Sequence, residues 1–93
     1  MNSSFQPIDE NEIKQKLIEI VLSLPQIIEC IHQTNGVLMT FHIDVDKMKH
    51  FIQEYNPKWI QQKKYYLIAE RFWGIREKVR LYIDATGTEF FIE

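Results

Sequence analysis

Ninety-three residues, 45% hydrophobic and 26% charged with three Gly and three Pro, exclude a disordered chain and leave room for one core, so a single globular domain is expected. A net charge of −2 argues against binding nucleic acid by bulk electrostatics, and a lone cysteine, Cys30, excludes an internal disulfide and favours a reducing, cytoplasmic setting. No Lys or Arg precedes Lys14, and Ser23 interrupts the longest apolar run, Ile20 to Leu24, so neither a signal peptide nor a membrane span is expected.

Residues 1–8 are expected to form a loose segment, with the domain spanning 9–93. Asp9 reads as a helix N-cap, with Glu12 as its capping-box partner and Ile8 with Ile13 as a hydrophobic staple. Ile13, Leu17, Ile20, Val21 and Leu24 recur at helical spacing and predict the stripe that covers a sheet. Ile18 and Leu22 make a second apolar row beside it, wider than one sheet contact needs, and are a candidate self-association surface. Pro25 ends this helix, because its ring removes a donor and pushes Leu24 out of the helical region.

In the next segment Ile27, Ile28 and Ile31 also have helical spacing. Asn35-Gly36 followed by alternating Val37, Met39, Phe41 and Ile43 favours a hairpin with a two-residue turn. That register puts His32 opposite Met39, Cys30 opposite Phe41, Ile28 opposite Ile43 and Glu29 opposite His42, with Cys30 in the core and unsuited to act as a nucleophile. Asp44 caps a second helix with Met48, Phe51, Ile52 and Tyr55 on its buried stripe, ended by Asn56-Pro57. Lys58 to Lys64 reads as a connector pinned by Trp59 and Ile60.

Tyr65 to Trp73 then reads as a central strand, with Tyr65, Leu67 and Ala69 on one face and Tyr66, Ile68 and Phe72 on the other. Gly74 to Glu77 makes a turn, and Val79, Leu81 and Ile83 alternate in the following strand. The loop Asp84-Ala85-Thr86-Gly87 places Leu81 opposite Phe90 and Val79 opposite Ile92, with Glu89 and Glu93 guarding the last strand against pairing with other chains. The order is αββαβββ: an α+β fold, with a mostly antiparallel sheet of about five strands covered by two helices.

Charge is unevenly distributed along this order. Between Lys58 and Tyr82 seven basic residues stand against Glu70 and Glu77, a net of +5 that leaves −7 for the rest of a chain whose total is −2, so a molecule with one basic and one acidic face is expected. Lys63, Lys64, Arg71, Arg76 and Arg80 are interleaved there with Trp73 and Tyr82, among other aromatic residues, and this set is the candidate binding surface. Tyr, Trp and Arg anchor protein interfaces, and Trp73 beside Arg71 and Arg76 suits an exposed anchor for a partner protein with an acidic patch. Stacking rings and phosphate-neutralising cations are also the ingredients of a single-stranded RNA or DNA binder, the second reading.

A third reading rests on His42, Asp44, Asp46 and His50, imidazoles and carboxylates at a strand end and the first turns of a helix, which would suit zinc, manganese or iron in a metal-dependent hydrolase. Their spacing matches no established motif. No phosphate-cradling Gly-rich loop, nucleophile elbow or paired-histidine metal motif is present, so no enzyme and no cofactor is expected. The leading expectation is a small cytosolic binding or regulatory protein that acts by protein–protein interaction, in the manner of inhibitors, immunity proteins and antitoxins, or by forming a homodimer.

Overall fold

The computed structural model describes residues 9–93, so the segment 1–8, with the Ile8 half of the staple, lies outside the described residues. The fold is α+β: two helices and six antiparallel strands in two sheets, one of two strands and one of four.

Helix α1 (Glu10–Val21) starts at Asp9, whose carboxylate accepts the Asn11 N–H at 3.0 Å and satisfies one orphan donor of the first turn. Glu12, expected to close a capping box, lies instead 3.9 Å from Lys16. The buried face is Leu17, Ile18 and Val21, while Ile20 and Leu22 are exposed, so the inward stripe is rotated from the expected one. Helix α2 (Val45–Glu54) is capped by Asp44, which accepts the N–H groups of Asp46 and Lys47 at 3.0 and 3.2 Å, and it buries Met48 and Ile52. Tyr55, past its last turn, is exposed. Lys14 of α1 reaches the Gln53 and Tyr55 carbonyls at 3.3 Å each, supplying donors to the open end of α2.

Strands β1 (Ile27–Ile31) and β2 (Leu38–His42) form the expected hairpin with a different register. Ile28 faces Phe41, Cys30 faces Met39, Glu29 faces Thr40 and Ile27 faces His42. The connection spans residues 33–36: His32 donates to the Val37 carbonyl and Gly36 to the His32 carbonyl, both at 2.8 Å, and the Asn35 side chain accepts the Val37 N–H at 3.0 Å. Because the shift from the expected register is two residues, the strand faces are unchanged, and Ile28, Met39 and Phe41 are buried as predicted.

The second sheet contains β3 (Lys58–Ile60), β4 (Lys63–Trp73), β5 (Glu77–Asp84) and β6 (Phe90–Ile92), in that spatial order. The predicted connector is therefore largely a strand. Gln61 and Gln62 both have positive φ, 49° and 68°, the two-residue turn geometry that matches strand twist but is usually signalled by Asn-Gly or Asp-Gly. Trp59, expected to pin the connector, is exposed.

The pairing of β4 with β5 is interrupted once. Tyr66 faces Ile83 and Leu67 faces Tyr82, but Ala69 faces Leu81, which leaves Ile68 as the extra residue of a β-bulge. Beyond it the alternation of β4 is inverted. Ala69, Arg71 and Trp73 lie opposite Leu81, Val79 and Glu77 on the core side, and Phe72, predicted to share a face with Tyr66 and Ile68, points away from the core opposite Lys78.

Between β5 and β6 the register also differs from the expected one: Leu81 faces Ile92 and Ile83 faces Phe90. Asp84 sets the longer loop. Its buried carboxylate accepts the Thr86 hydroxyl at 2.6 Å and the Thr88 and Glu89 N–H groups at 2.9 Å each. Helices, hairpin and the inner face of the larger sheet enclose one core, including Leu17, Phe41, Met48, Ile52, Tyr66 and Leu81. Each such side chain contributes roughly 1.5–3 kcal/mol on burial.

Burial acts to raise the Asp84 carboxyl, but the hydrogen bonds from Thr86, Glu89 and Thr88, with Lys63 nearby, hold it below its ordinary value of 3.8. A depressed folded value means that this carboxylate stabilises the fold above the unfolded value and loses that contribution as pH falls through the folded one. Asp84→Asn is expected to cost about 1–3 kcal/mol at neutral pH in urea denaturation, with the gap to wild type narrowing at about pH 3. A constant gap across that range would contradict the assignment.

Gly87, at φ +77°, approaches α1 so closely that an added Cβ would lie 2.5 Å from Ile20 Cγ2, whereas Gly74, at φ +73°, has open space around it. Gly74→Ala is expected to cost about 1–2 kcal/mol for the left-handed backbone alone. Gly87→Ala should cost about 1–3 kcal/mol more, through overpacking against Ile20. Equal losses in chemical denaturation would contradict the close approach.

Candidate functional site

The basic stretch folds against the acidic remainder of the chain. Lys63 pairs with Glu89 at 2.7 Å, Lys64 with Glu10 at 2.9 Å, and Lys58 with Glu93. Arg80 and Lys78 share Glu70 at 3.1 and 3.7 Å. Glu10 also accepts the Tyr66 hydroxyl, an arrangement that ties the first turn of α1 to β4. Burial opposes ionisation of Glu10, yet its bonds to Tyr66 and Lys64 hold its carboxyl below the ordinary value. Exposed pairs of this kind add little stability, but they set a counter-charge beside each cation. Five of the seven basic side chains of the stretch are thus paired with carboxylates. Glu89 and Glu93, predicted as guards of the last strand, serve as counter-charges for lysines across the sheet.

Aromatic groups of the stretch are also partly spent. Trp73 is half-buried and sits against His32, ring centroids 6.0 Å apart, so it links the β1–β2 hairpin to β4. Tyr82 is half-buried beneath the Lys58 ammonium, 5.8 Å from its ring centroid. Arg71 is turned toward the core side, where its Nη1 donates to the Thr40 carbonyl at 2.9 Å and its Nε to the Phe72 carbonyl at 3.3 Å. Arg76 lies exposed in the β4–β5 turn, and among the described residues it has no carboxylate partner.

That turn is the end of a projecting arm. β3 pairs with β4 only as far as Tyr65, and β6 pairs with β5 from Leu81, with a further bond pair between Arg80 and Glu93. The outer parts of β4 and β5 consequently run on as a two-stranded ribbon closed by residues 74–76. Ile75 at its tip is 96% exposed and Phe72, near the tip, 64%. Neither residue belongs to the binding surface expected from the sequence. Ile75 was legible as the one large apolar residue in an otherwise polar turn, but Phe72 was hidden by the bulge that reverses its face.

The predicted self-association row is split. Ile18 is buried in the core at 7% exposure, while its neighbour Leu22 is 49% exposed, because α1 turns its Leu17–Ile18–Val21 face inward. Cys30 is half-buried, and burial pushes its thiol up, opposed by a smaller backbone hydrogen bond at Ile31.

His42, Asp44 and His50 do share a site. They line an open cleft of about 770 Å³ between β2, α2 and the bulged half of β4, together with Thr40, Lys47, Phe51, Ile68, Ala69, Glu70 and Arg71. Asp46 is not among its lining residues. Among the described residues no group of three or more His, Cys, Asp or Glu side chains comes close enough to hold a metal ion. The Asp44 carboxylate is occupied in capping α2, and that of Glu70 in pairing with Arg80 and Lys78. Lys47 and Arg71 were not linked to the histidines by sequence, since the strand that brings Arg71 there is distant along the chain.

Comparison of the chain with protein-family models, with curated proteins and with solved structures found no match. No helix among the described residues is long and apolar enough to cross a membrane.

Alanine at Ile18 should cost about 2–5 kcal/mol in chemical denaturation, and alanine at Leu22 within about 0.5 kcal/mol. Comparable small effects at both positions would contradict the observed orientation of α1.

Proposed function

We propose that this chain is a small recognition protein that binds another protein through the projecting β4–β5 arm. The observation that carries this reading is the exposed apolar pair at the arm, Ile75 and Phe72, held on a short paired ribbon whose root is braced by the Arg71–Thr40 bond and the Trp73–His32 contact. A preordered apolar tip loses little conformational freedom on binding, and central apolar anchors dominate interface energies. Arg76 beside Ile75 fits a partner with an apolar pocket flanked by carboxylates. A regulatory or inhibitory role follows naturally from a small rigid domain that presents one such anchor. In-chain pairing of five of the seven basic side chains weighs against a surface that tracks a phosphate backbone.

Native mass spectrometry of the protein gently isolated from its host is expected to show a second polypeptide bound to it. In that complex, amide exchange should slow over residues 72–78. Ile75→Asp should weaken binding by about 2 kcal/mol or more, while Lys63→Ala with Lys64→Ala should change it by less than about 1 kcal/mol. A complex that survives Ile75→Asp, or a chain recovered without any bound polypeptide, would overturn the arm as the recognition element.

A further inference from the structure

We propose that the cleft between β2, α2 and the bulged half of β4 is a binding site for a small organic anion with an apolar body. This is independent of the arm. The cleft's volume, about 770 Å³, falls in the range of about 300–1,000 Å³ typical of small-molecule sites. Its apolar wall is the half-buried Phe51, with Ile68 of the bulge and Ala69, both almost fully buried, beneath the floor.

Lys47 and Arg71 bring two positive charges to the lining, against the carboxylates of Asp44 and Glu70. The two positive lining residues are not offset equally by the two carboxylates, since Glu70 is paired with Arg80 and Lys78, while Asp44 keeps its charge and accepts the Asp46 and Lys47 N–H groups on Oδ1. Lys47 and Arg71 have no carboxylate partner among the described residues. Arg71 is held in place by neutral carbonyls, those of Thr40 and Phe72, which orient its guanidinium without cancelling its charge. A guanidinium fixed in this way retains donors on Nη2 and loses little entropy when it meets a carboxylate or phosphate. His42 and His50 add further donors to the same wall. An anionic group set among these donors, with an aromatic or aliphatic body over Phe51, satisfies both halves of the lining.

The test is a titration of the isotopically labelled full chain, followed by amide chemical shifts, with phenyl phosphate as probe and benzyl alcohol as its neutral counterpart. Phenyl phosphate should give saturable shifts at Thr40, His42, Lys47, Ala69 and Arg71, with an affinity about tenfold or more above that of benzyl alcohol. Inorganic phosphate, which lacks the apolar body, should bind more weakly than phenyl phosphate. Lys47→Glu, at an exposed helix position, should reduce phenyl phosphate affinity about tenfold, while Lys16→Glu on α1 should leave it unchanged. No saturable shift in the cleft by about 20 mM, equal binding of the neutral compound, or indifference to Lys47→Glu would overturn the assignment.

Discussion

One extra residue in β4 governs the useful features of this molecule. A regular β4 would point Phe72 toward the core and Arg71 away from it; because Ile68 has no partner on β5, that order is reversed from Ala69 onward. The reversal sends Arg71 to the Thr40 carbonyl of β2 and Trp73 to His32, which fastens the small hairpin to the larger sheet. It also puts Phe72 on the outside and Arg71 in the lining of the cleft. The arm itself exists because β3 and β6 stop short of the ends of β4 and β5, and the bulge decides which of its side chains face outward.

Electrostatics follow the fold rather than the order of residues. The run from Lys58 to Tyr82 is strongly basic along the chain, but an antiparallel sheet and a helix laid on it bring Glu10, Glu89 and Glu93 within reach of three of its lysines. Glu70 takes two more cations from the neighbouring strand. Within that run, Arg71 in the cleft and Arg76 at the arm tip have no carboxylate partner among the described residues, and outside it neither has Lys47, which lines the cleft with Arg71. Cleft and arm tip are where a negatively charged ligand or partner would meet cations without a carboxylate partner.

Local hydrogen bonding explains which parts of the chain were legible. Asp9 and Asp44 cap the two helices as expected, because a carboxylate before an apolar helical stripe acts on N–H groups two or three residues away and depends on little else. Loop lengths were not legible in the same way. The Asn35-Gly36 pair sits inside a longer connection closed by His32 and Val37, and Asp84 draws Thr86, Thr88 and Glu89 into a wider loop than its sequence implied. Both errors were of two residues, so the buried faces survived them. The Gln61–Gln62 turn was missed because its geometry, demanded by the strands it joins, lacks the residues that usually announce it.

By itself the sequence determined the α+β class, the two helix starts, the order of the long elements and most of the core, since these depend on caps and on hydrophobic periodicity within short windows. It also placed His42, Asp44 and His50 near one another, because a strand running directly into a capped helix leaves few arrangements. Only the tertiary structure decided that the strands divide into two sheets, that Ile18 faces inward and Leu22 outward, that the basic stretch is largely paired with carboxylates, and that Arg71 joins the histidines while Phe72 and Ile75 are presented to solvent. Each of these depends on which residues meet across strands or between helix and sheet. A single unpaired residue reverses every face after it, and no pattern confined to one segment records that.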